Sequence, residues 1–119
     1  MMKEVDIPRK LDHRCITKVL EVYDSDKLFV IVMELVPGGD LFDQVLREYD
    51  EEAAIHHSSE VTAKLRFYQI IHATAHLHAK CVYHRDLKLE NILLIKNSSV
   101  SLLKITDFGP FKQFSSVWF

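Results

Sequence analysis

Alternating apolar and polar stretches divide the first half of the chain into three predicted elements. Residues 15–22 and 28–35 are rich in apolar and β-branched side chains, and the polar sequence Asp-Ser-Asp-Lys at 24–27 separates them. This pattern predicts a β-hairpin. The sequence Pro-Gly-Gly at 37–39 then breaks the chain, and the apolar positions that start at Leu41 predict a short helix.

The second half is predicted to hold one long helix and a second hairpin. Residues 48–59 are polar and predict a surface loop. The long helix is predicted over 59–79, and its apolar stripe at helical spacing consists of Val61, Leu65, Tyr68, Ile71 and Ala75. Short apolar runs at 92–95 and 100–105, on either side of Asn-Ser-Ser at 97–99, predict the hairpin. The expected fold class is therefore mixed α and β.

Composition and charge change this picture little. The chain has 119 residues, 48% of them apolar and 27% charged, with a net charge of −2, which gives no reason to expect a nucleic-acid or membrane-surface partner. The charged amino terminus does not fit a signal peptide, and the longest wholly apolar run, 28–33, is too short to cross a bilayer. We expect a soluble intracellular protein in which Cys15 and Cys81 are buried reduced thiols, with a disulfide as the less favoured alternative.

Two motifs carry the candidate chemistry. Residues 84–91 read His-Arg-Asp-Leu-Lys-Leu-Glu-Asn, and residues 107–109 read Asp-Phe-Gly. The tripeptide alone occurs often by chance. The longer motif has the form of a protein kinase catalytic loop, and Asp-Phe-Gly follows it in the order that kinases require. Phosphoryl transfer needs positioned groups and neutralised charge more than it needs covalent chemistry.

The residue types in these motifs suit distinct roles in such a transfer. Asp86 would orient the substrate hydroxyl and accept its proton. Asn91 and Asp107 would supply hard oxygen ligands to Mg²⁺ on the ATP phosphates. Lys88 would offset the charge of the transferring phosphate, and its position indicates serine/threonine specificity. The predicted catalytic residues are therefore Asp86, Lys88 and Asn91, and the predicted metal ligands are Asn91 and Asp107.

With these motifs the chain resembles protein serine/threonine kinases, and among them the checkpoint kinase 2 group. The resemblance extends to Met-Glu-Leu at 33–35, Gly-Gly-Asp-Leu-Phe-Asp at 38–43, Phe-Tyr-Gln at 67–69 and Leu-Lys-Ile-Thr at 103–106. It implies an α+β fold that comprises the end of a kinase small lobe, the hinge and the start of the helical large lobe. Residues 1–109 would form this partial kinase domain, and residues 110–119 a divergent tail.

The resemblance also implies an ATP site with Mg²⁺. Its cofactor-binding residues would be Met33, Glu34, Val36, Asp40, Lys88, Glu90, Asn91, Leu93 and Asp107. Met33 would hold the gatekeeper position, the backbone of Glu34 and Val36 would bind adenine, Asp40 would lie near the ribose, and Leu93 would lie beneath adenine. For Met33 and Leu93 an ordinary core role is an equally good interpretation.

The chain departs from the family pattern at several points. Its three glycines cannot form the Gly-x-Gly-x-x-Gly loop that covers ATP phosphates in kinases. Glu4 matches the helix-C glutamate, but only Lys3 lies before it as a partner, and Pro8 falls inside that predicted helix. Residues 110–119, which follow Gly109, do not have the sequence expected of an activation segment. We therefore expect the chain to be inactive alone.

Three interpretations of function follow. The first is a fragment of an ATP-dependent serine/threonine kinase, which acts on protein substrates. The second is a non-catalytic kinase-like decoy that binds a kinase's partners or a chaperone, and the third is a decayed gene product without function. In the family, later helices cover the long helix, so its apolar stripe is expected to be partly uncovered here. Nuclear residence is implied only by the resemblance.

Overall fold

A computed structural model describes residues 11–52 and 60–106 of the chain. The described parts contain four strands, two helices and one 3₁₀ turn. In chain order these are β1 (Val19–Asp24), β2 (Phe29–Met33), α1 (Leu41–Glu52), α2 (Glu60–Ala79), the 3₁₀ turn (Leu89–Asn91), β3 (Ile92–Leu94) and β4 (Leu103–Ile105). The architecture is the predicted mixture of α and β.

Strands β1 and β2 form the first predicted hairpin, with Asp24 opposite Phe29 and an irregularity between Val19 and Glu21. The Ser25 amide donates to the Leu28 carbonyl at 2.9 Å and closes the turn. The first strand begins at Val19 rather than at residue 15, because the chain at 15–17 pairs with β4 instead.

The second sheet consists of β3 and β4, joined antiparallel with Leu93 opposite Lys104. Residues on either side extend it. The Gly38 amide donates to the Leu94 carbonyl at 2.7 Å, and the Leu94 amide donates to the Gly39 carbonyl at 2.8 Å. A side chain at Gly38 would collide with the Leu94 carbonyl, so this approach of two backbones requires glycine.

The core lies between the second sheet and one face of α2. Its fully buried large side chains are Ile16, Leu77, Leu94, Leu103, Ile105 and Val82. The alternation along β3 and β4, in which the outer two residues are buried and the middle one is half-buried, directs one face of each strand to this core. The short predicted strands are thus confirmed, with tighter bounds.

Helix α1 begins at an aspartate cap and runs further than the sequence predicted. The Asp40 carboxylate accepts a hydrogen bond from the Asp43 amide at 2.8 Å, which satisfies a donor of the first turn. The prediction of a loop from residue 48 was wrong for residues 48–52, which are helical. Glu48 is held inside the helix by Gln44, whose side-chain amide donates to it at 2.9 Å. Residues 53–59 lie outside the described ranges.

Helix α2 spans nearly the predicted range, but the apolar stripe read from the sequence is exposed. The solvent-facing stripe consists of Val61, Leu65, Tyr68, Ile71 and Ala75. The opposite face packs on the sheet through Arg66, Ala73 and Leu77, with half-buried Ile70 between them. The expected exposure of the stripe is therefore observed. Neither described helix is long and apolar enough to cross a membrane.

The two cysteines differ in their environment. Cys15 is a buried free thiol, as predicted, whereas Cys81 is free but exposed. The prediction of burial at Cys81 was wrong because the residue lies in the turn after α2, where its backbone has a φ of 57°. Burial raises the pKa of the Cys15 thiol, which keeps it protonated.

We expect the exposed stripe of α2 to drive self-association. Leu65→Gln combined with Ile71→Gln should weaken association at least about tenfold, because burying one such side chain is worth about 1.5–3 kcal/mol. Both residues are about half exposed, so the fold should tolerate the change. Sedimentation equilibrium measures the effect. Leu20→Gln with Leu46→Gln, which are similarly exposed elsewhere, is the matched control; an equal effect from the control pair would contradict the prediction.

Candidate active site

The loop at 84–91 is anchored through the imidazole of His84, which is 5% exposed. The Asp86 amide donates to Nδ1 of His84 at 3.1 Å, so this nitrogen carries no proton. Nε2 therefore bears the hydrogen and donates it to the Thr106 carbonyl at 2.8 Å. The neutral ring ties the start of the loop to the end of β4.

A second anchor is the amide of Asn91, which is buried in the 3₁₀ turn. Its Nδ2 donates to the Asp86 carbonyl at 2.9 Å and to the Asp86 carboxylate at 3.3 Å. The Thr106 amide donates to the Asn91 carbonyl at 2.9 Å. These contacts place the predicted catalytic residues Asp86 and Asn91 side by side, with both held to the same end of β4.

Lys88 lies beside the Asp86 carboxylate, with Nζ 3.7 Å from Oδ2. The two side chains are 52% and 54% exposed, so their attraction is screened and contributes little to stability. Both charged groups are open to a ligand.

Arg85, between His84 and Asp86, has a φ of 65°, a left-handed conformation that is uncommon for a residue with a side chain. Glu90 is exposed in the 3₁₀ turn.

The predicted hinge segment, residues 34–36, follows β2 directly. Met33 ends β2 and is 42% exposed, so the alternative core role for its side chain is not realised. The Glu34 amide donates to the Lys18 carbonyl at 2.9 Å. Within the described ranges, the Val36 amide and carbonyl make no hydrogen bond to protein, which leaves them able to bind a ligand.

The Glu34 carboxylate joins three parts of the chain. It accepts the Lys18 amide at 2.9 Å and also the ammonium of Lys104, which lies on β4. Burial tends to raise the pKa of this carboxyl, but the hydrogen bonds from Lys104 and Lys18 outweigh it and lower the pKa below the usual value of 4.5. Glu34 is therefore ionised at neutral pH.

Asp40 and Leu93 face each other across an antiparallel bridge. Asp40 is half-buried and uses Oδ1 to cap α1. Leu93 is half-buried in the middle of β3, directly opposite Lys104. Leu93 therefore has a neighbour on each side in the sheet. One is Lys104, which bonds the hinge residue Glu34, and the other is Asp40, which caps α1.

The oxygen ligands predicted for Mg²⁺ are only partly within the described chain. Asp107 lies outside it, as does Glu4, which matches the helix-C glutamate. Nδ2 of Asn91 is fully used by Asp86, and no described residue donates to Oδ1, so this oxygen can serve a hard cation. Within residues 11–52 and 60–106, no three histidine, cysteine, aspartate or glutamate residues are grouped in a way that could hold a metal ion.

Sequence reasoning missed the residues that support the site from behind. These are Thr106, which bonds both His84 and Asn91, and Lys104 with Lys18, which bond Glu34. The central position of Lys104 in an apolar strand was the available signal. A cation flanked by buried residues on a short strand needs a partner.

Comparison with known proteins gives the family of this site. The sequence model of the protein kinase domain matches residues 1–117. "Probable serine/threonine-protein kinase fhkD" of Dictyostelium discoideum is 39% identical over 111 residues, which is 92% of this chain and 14% of that protein. The ovarian-specific serine/threonine-protein kinase Lok of Drosophila melanogaster is 35% identical over 109 residues, 92% of this chain and 21% of Lok. Calcium-dependent protein kinase 3 of Plasmodium yoelii yoelii is 33% identical over 115 residues, which is 97% of this chain and 20% of that protein. The chain thus spans a fifth or less of most of these relatives' length.

The hydrogen bonds to Glu34 predict its titration. Its carboxyl should titrate below 4.5, because the partners favour the charged form. The ion pair then stabilises the fold above the ordinary pKa, and this contribution is lost as the pH falls through the lowered value. Nuclear magnetic resonance of the side-chain carbonyl carbon measures the midpoint. Lys104→Met should move the midpoint upward. A wild-type midpoint at or above 4.5 would contradict the assignment.

Proposed function

This chain belongs to the protein kinase family, and from that membership we propose that it is part of an ATP-dependent protein serine/threonine kinase. Its homologues include serine/threonine kinases. The reaction would transfer the γ-phosphate of ATP to a serine or threonine hydroxyl of a protein substrate. The described residues would contribute the adenine-binding hinge segment and the loop that receives the substrate hydroxyl.

The observation that carries this proposal is the arrangement of Asp86, Lys88 and Asn91. Asn91 fixes the Asp86 carboxylate from one side, and Lys88 approaches it from solvent. A half-exposed carboxylate in this position can accept a hydroxyl proton, and the adjacent ammonium can offset phosphate charge. The motif at residues 84–91 and the kinase membership support the same roles.

Nucleotide and metal would use the neighbouring groups. Mg²⁺, held by Asn91 and Asp107, would neutralise the phosphates when bound. Oδ1 of Asn91 fits this role because Nδ2 is already engaged. The free backbone groups of Val36 would bind the adenine edge, next to Met33 and Glu34, with Leu93 beneath the base. Asp40 would lie near the ribose with Oδ2 turned to it, because Oδ1 caps α1. Glu90 and Lys88 would lie towards the phosphates.

We place the kinase in the checkpoint kinase 2 group as a finer proposal. It rests on the sequence stretches at 38–43, 67–69 and 103–109. Under this proposal residues 1–109 form the partial kinase domain and residues 110–119 a divergent tail, and the whole protein acts in the nucleus.

A second candidate function is that of a non-catalytic binding module. The exposed apolar stripe on α2 favours it, because a continuous apolar face is a typical binding surface for a partner or a chaperone. The two candidates differ in what they require of Asp86, which is essential for transfer and has no part in binding through α2.

Nucleotide binding to the 119-residue chain should be weak and dependent on Mg²⁺. We expect a Kd for ATP weaker than about 1 mM, equivalent to about 4 kcal/mol, because no glycine-rich loop is present among its three glycines to cover the phosphates. Asn91→Ala should remove the gain that Mg²⁺ provides, whereas the exposed Asn97→Ala should retain it. Titration calorimetry with and without Mg²⁺ decides the matter. Micromolar affinity, or a gain that survives Asn91→Ala, would contradict the proposal.

Phosphoryl transfer by the same 119-residue chain should be undetectable. The positioning of the phosphates is a large part of the catalytic effect, and the sequence has no phosphate loop to provide it. Purified chain would be incubated with labelled ATP, Mg²⁺ and a basic peptide. Turnover above about 0.1 per second, about a tenth of the lower end of the range typical of kinases, and abolished by Asp86→Ala, would show that the chain is a kinase by itself.

A further inference from the structure

Glu34, the first residue after β2, makes two hydrogen bonds with Lys18. Its main-chain amide donates to the Lys18 carbonyl, and its carboxylate accepts the Lys18 amide. One residue thereby satisfies both backbone groups of Lys18, as a paired strand residue would. The hairpin of β1 and β2 is thus prolonged by a side chain up to the first residue of the hinge segment.

The same carboxylate oxygen also accepts the ammonium of Lys104. The side chains of Lys104 and Glu34 are 14% and 29% exposed, so water screens this pair less than an exposed one. Lys104 lies in the middle of β4, in the second sheet. The pair therefore connects the first hairpin to the second sheet at a point immediately before the hinge segment.

Strand β4 leads from Lys104 directly to the catalytic loop. Two residues later, Thr106 accepts a hydrogen bond from His84 and donates one to Asn91. Both of these residues in turn hold Asp86. The contacts form an unbroken series from the hinge segment to the candidate catalytic carboxylate, and the Glu34–Lys104 pair is its first step.

We propose that Glu34 and Lys104 are positioning residues that fix the hinge segment relative to β4, so that one nucleotide can contact both the hinge backbone and the metal-binding groups. The inference rests on the proposed function, and it assigns to two side chains a role that the backbone contacts of the hinge do not include. Neither side chain needs to touch the nucleotide.

The test compares four single variants of the 119-residue chain and the double variant Lys104→Met with Glu34→Gln. ATP binding is measured with and without Mg²⁺, and nuclear magnetic resonance follows. Lys104→Met removes the cation and keeps an unbranched side chain that is one atom shorter. Lys104→Arg keeps the cation, and Glu34→Gln keeps an acceptor for Lys18 while removing the charge. Lys64→Met is the matched control, because Lys64 forms an exposed ion pair with Glu60 on α2.

Lys104→Met and Glu34→Gln should each reduce the gain in affinity from Mg²⁺ by about fivefold, the lower range of coupling between sites. A general loss of folded chain would instead lower affinity equally with and without Mg²⁺. Lys104→Arg should restore the gain to within about twofold of wild type, and the double variant should lose no more than either single one. An unchanged gain in Lys104→Met, with the gain still lost in Asn91→Ala, would overturn the positioning role and leave the proposed function intact.

If the wild-type chain binds no ATP, that result contradicts the proposed function. Amide hydrogen exchange then still tests the positioning role, because it needs no nucleotide. Glu34→Gln should then accelerate exchange of the Thr106 amide, on the far side of the ion pair, and Lys104→Met should accelerate exchange of the Glu34 amide. Lys104→Arg and Lys64→Met should leave both amides protected. Acceleration confined to the substituted residue and its neighbours, or none at all, would overturn the positioning role.

Discussion

Hydrogen bonds on both edges of β4 are the constraint on which the rest of the site depends. One edge pairs with β3, and on the other edge the Ile105 amide donates to the Cys15 carbonyl while the Ile105 carbonyl accepts the Thr17 amide. A buried strand must satisfy these groups, since an unpaired buried amide or carbonyl costs as much as a lost hydrogen bond. The chain at 15–17 is therefore drawn away from the first hairpin and into the second sheet.

Buried charge imposes a second constraint on the packing of the helices. Arg66 is 9% exposed and forms two hydrogen bonds with Glu48, at 2.9 and 2.5 Å. It also donates to the Ser99 carbonyl at 3.2 Å in the turn between β3 and β4. Removing either charge would leave the other buried without an opposite charge, which is strongly destabilising. The pair thus fixes α1, α2 and this turn relative to one another.

The sequence predicted what depends on local pattern and missed what depends on tertiary contacts. Both hairpins, both helices and the cluster of Asp86, Lys88 and Asn91 were predictable, because turn residues, helical spacing and a contiguous motif encode them locally. The buried face of α2 was not, since apolar positions occur on both faces and periodicity cannot select between them. The helical state of residues 48–52 was missed because this stretch is polar, whereas in the structure Glu48 accepts hydrogen bonds from Gln44 and from Arg66 of α2. The exposure of Cys81 follows from a turn whose conformation no local pattern specified.

In the candidate site, the groups that hold the loop in place are different from the charged groups that would act on a substrate. The two sets differ in burial because burying a charge is costly, whereas burying a hydrogen-bonded neutral group is not. The supporting groups, His84 and Asn91, are buried, neutral and hydrogen-bonded, so they hold the loop without the cost of burying charge. The charged groups, Asp86 and Lys88, remain about half exposed at 3.7 Å, where water weakens their mutual attraction. A strongly paired carboxylate would bind protons and hydroxyl groups poorly. Anchoring the backbone of Asp86 while leaving its side chain weakly paired therefore gives a fixed acceptor that a ligand can still engage.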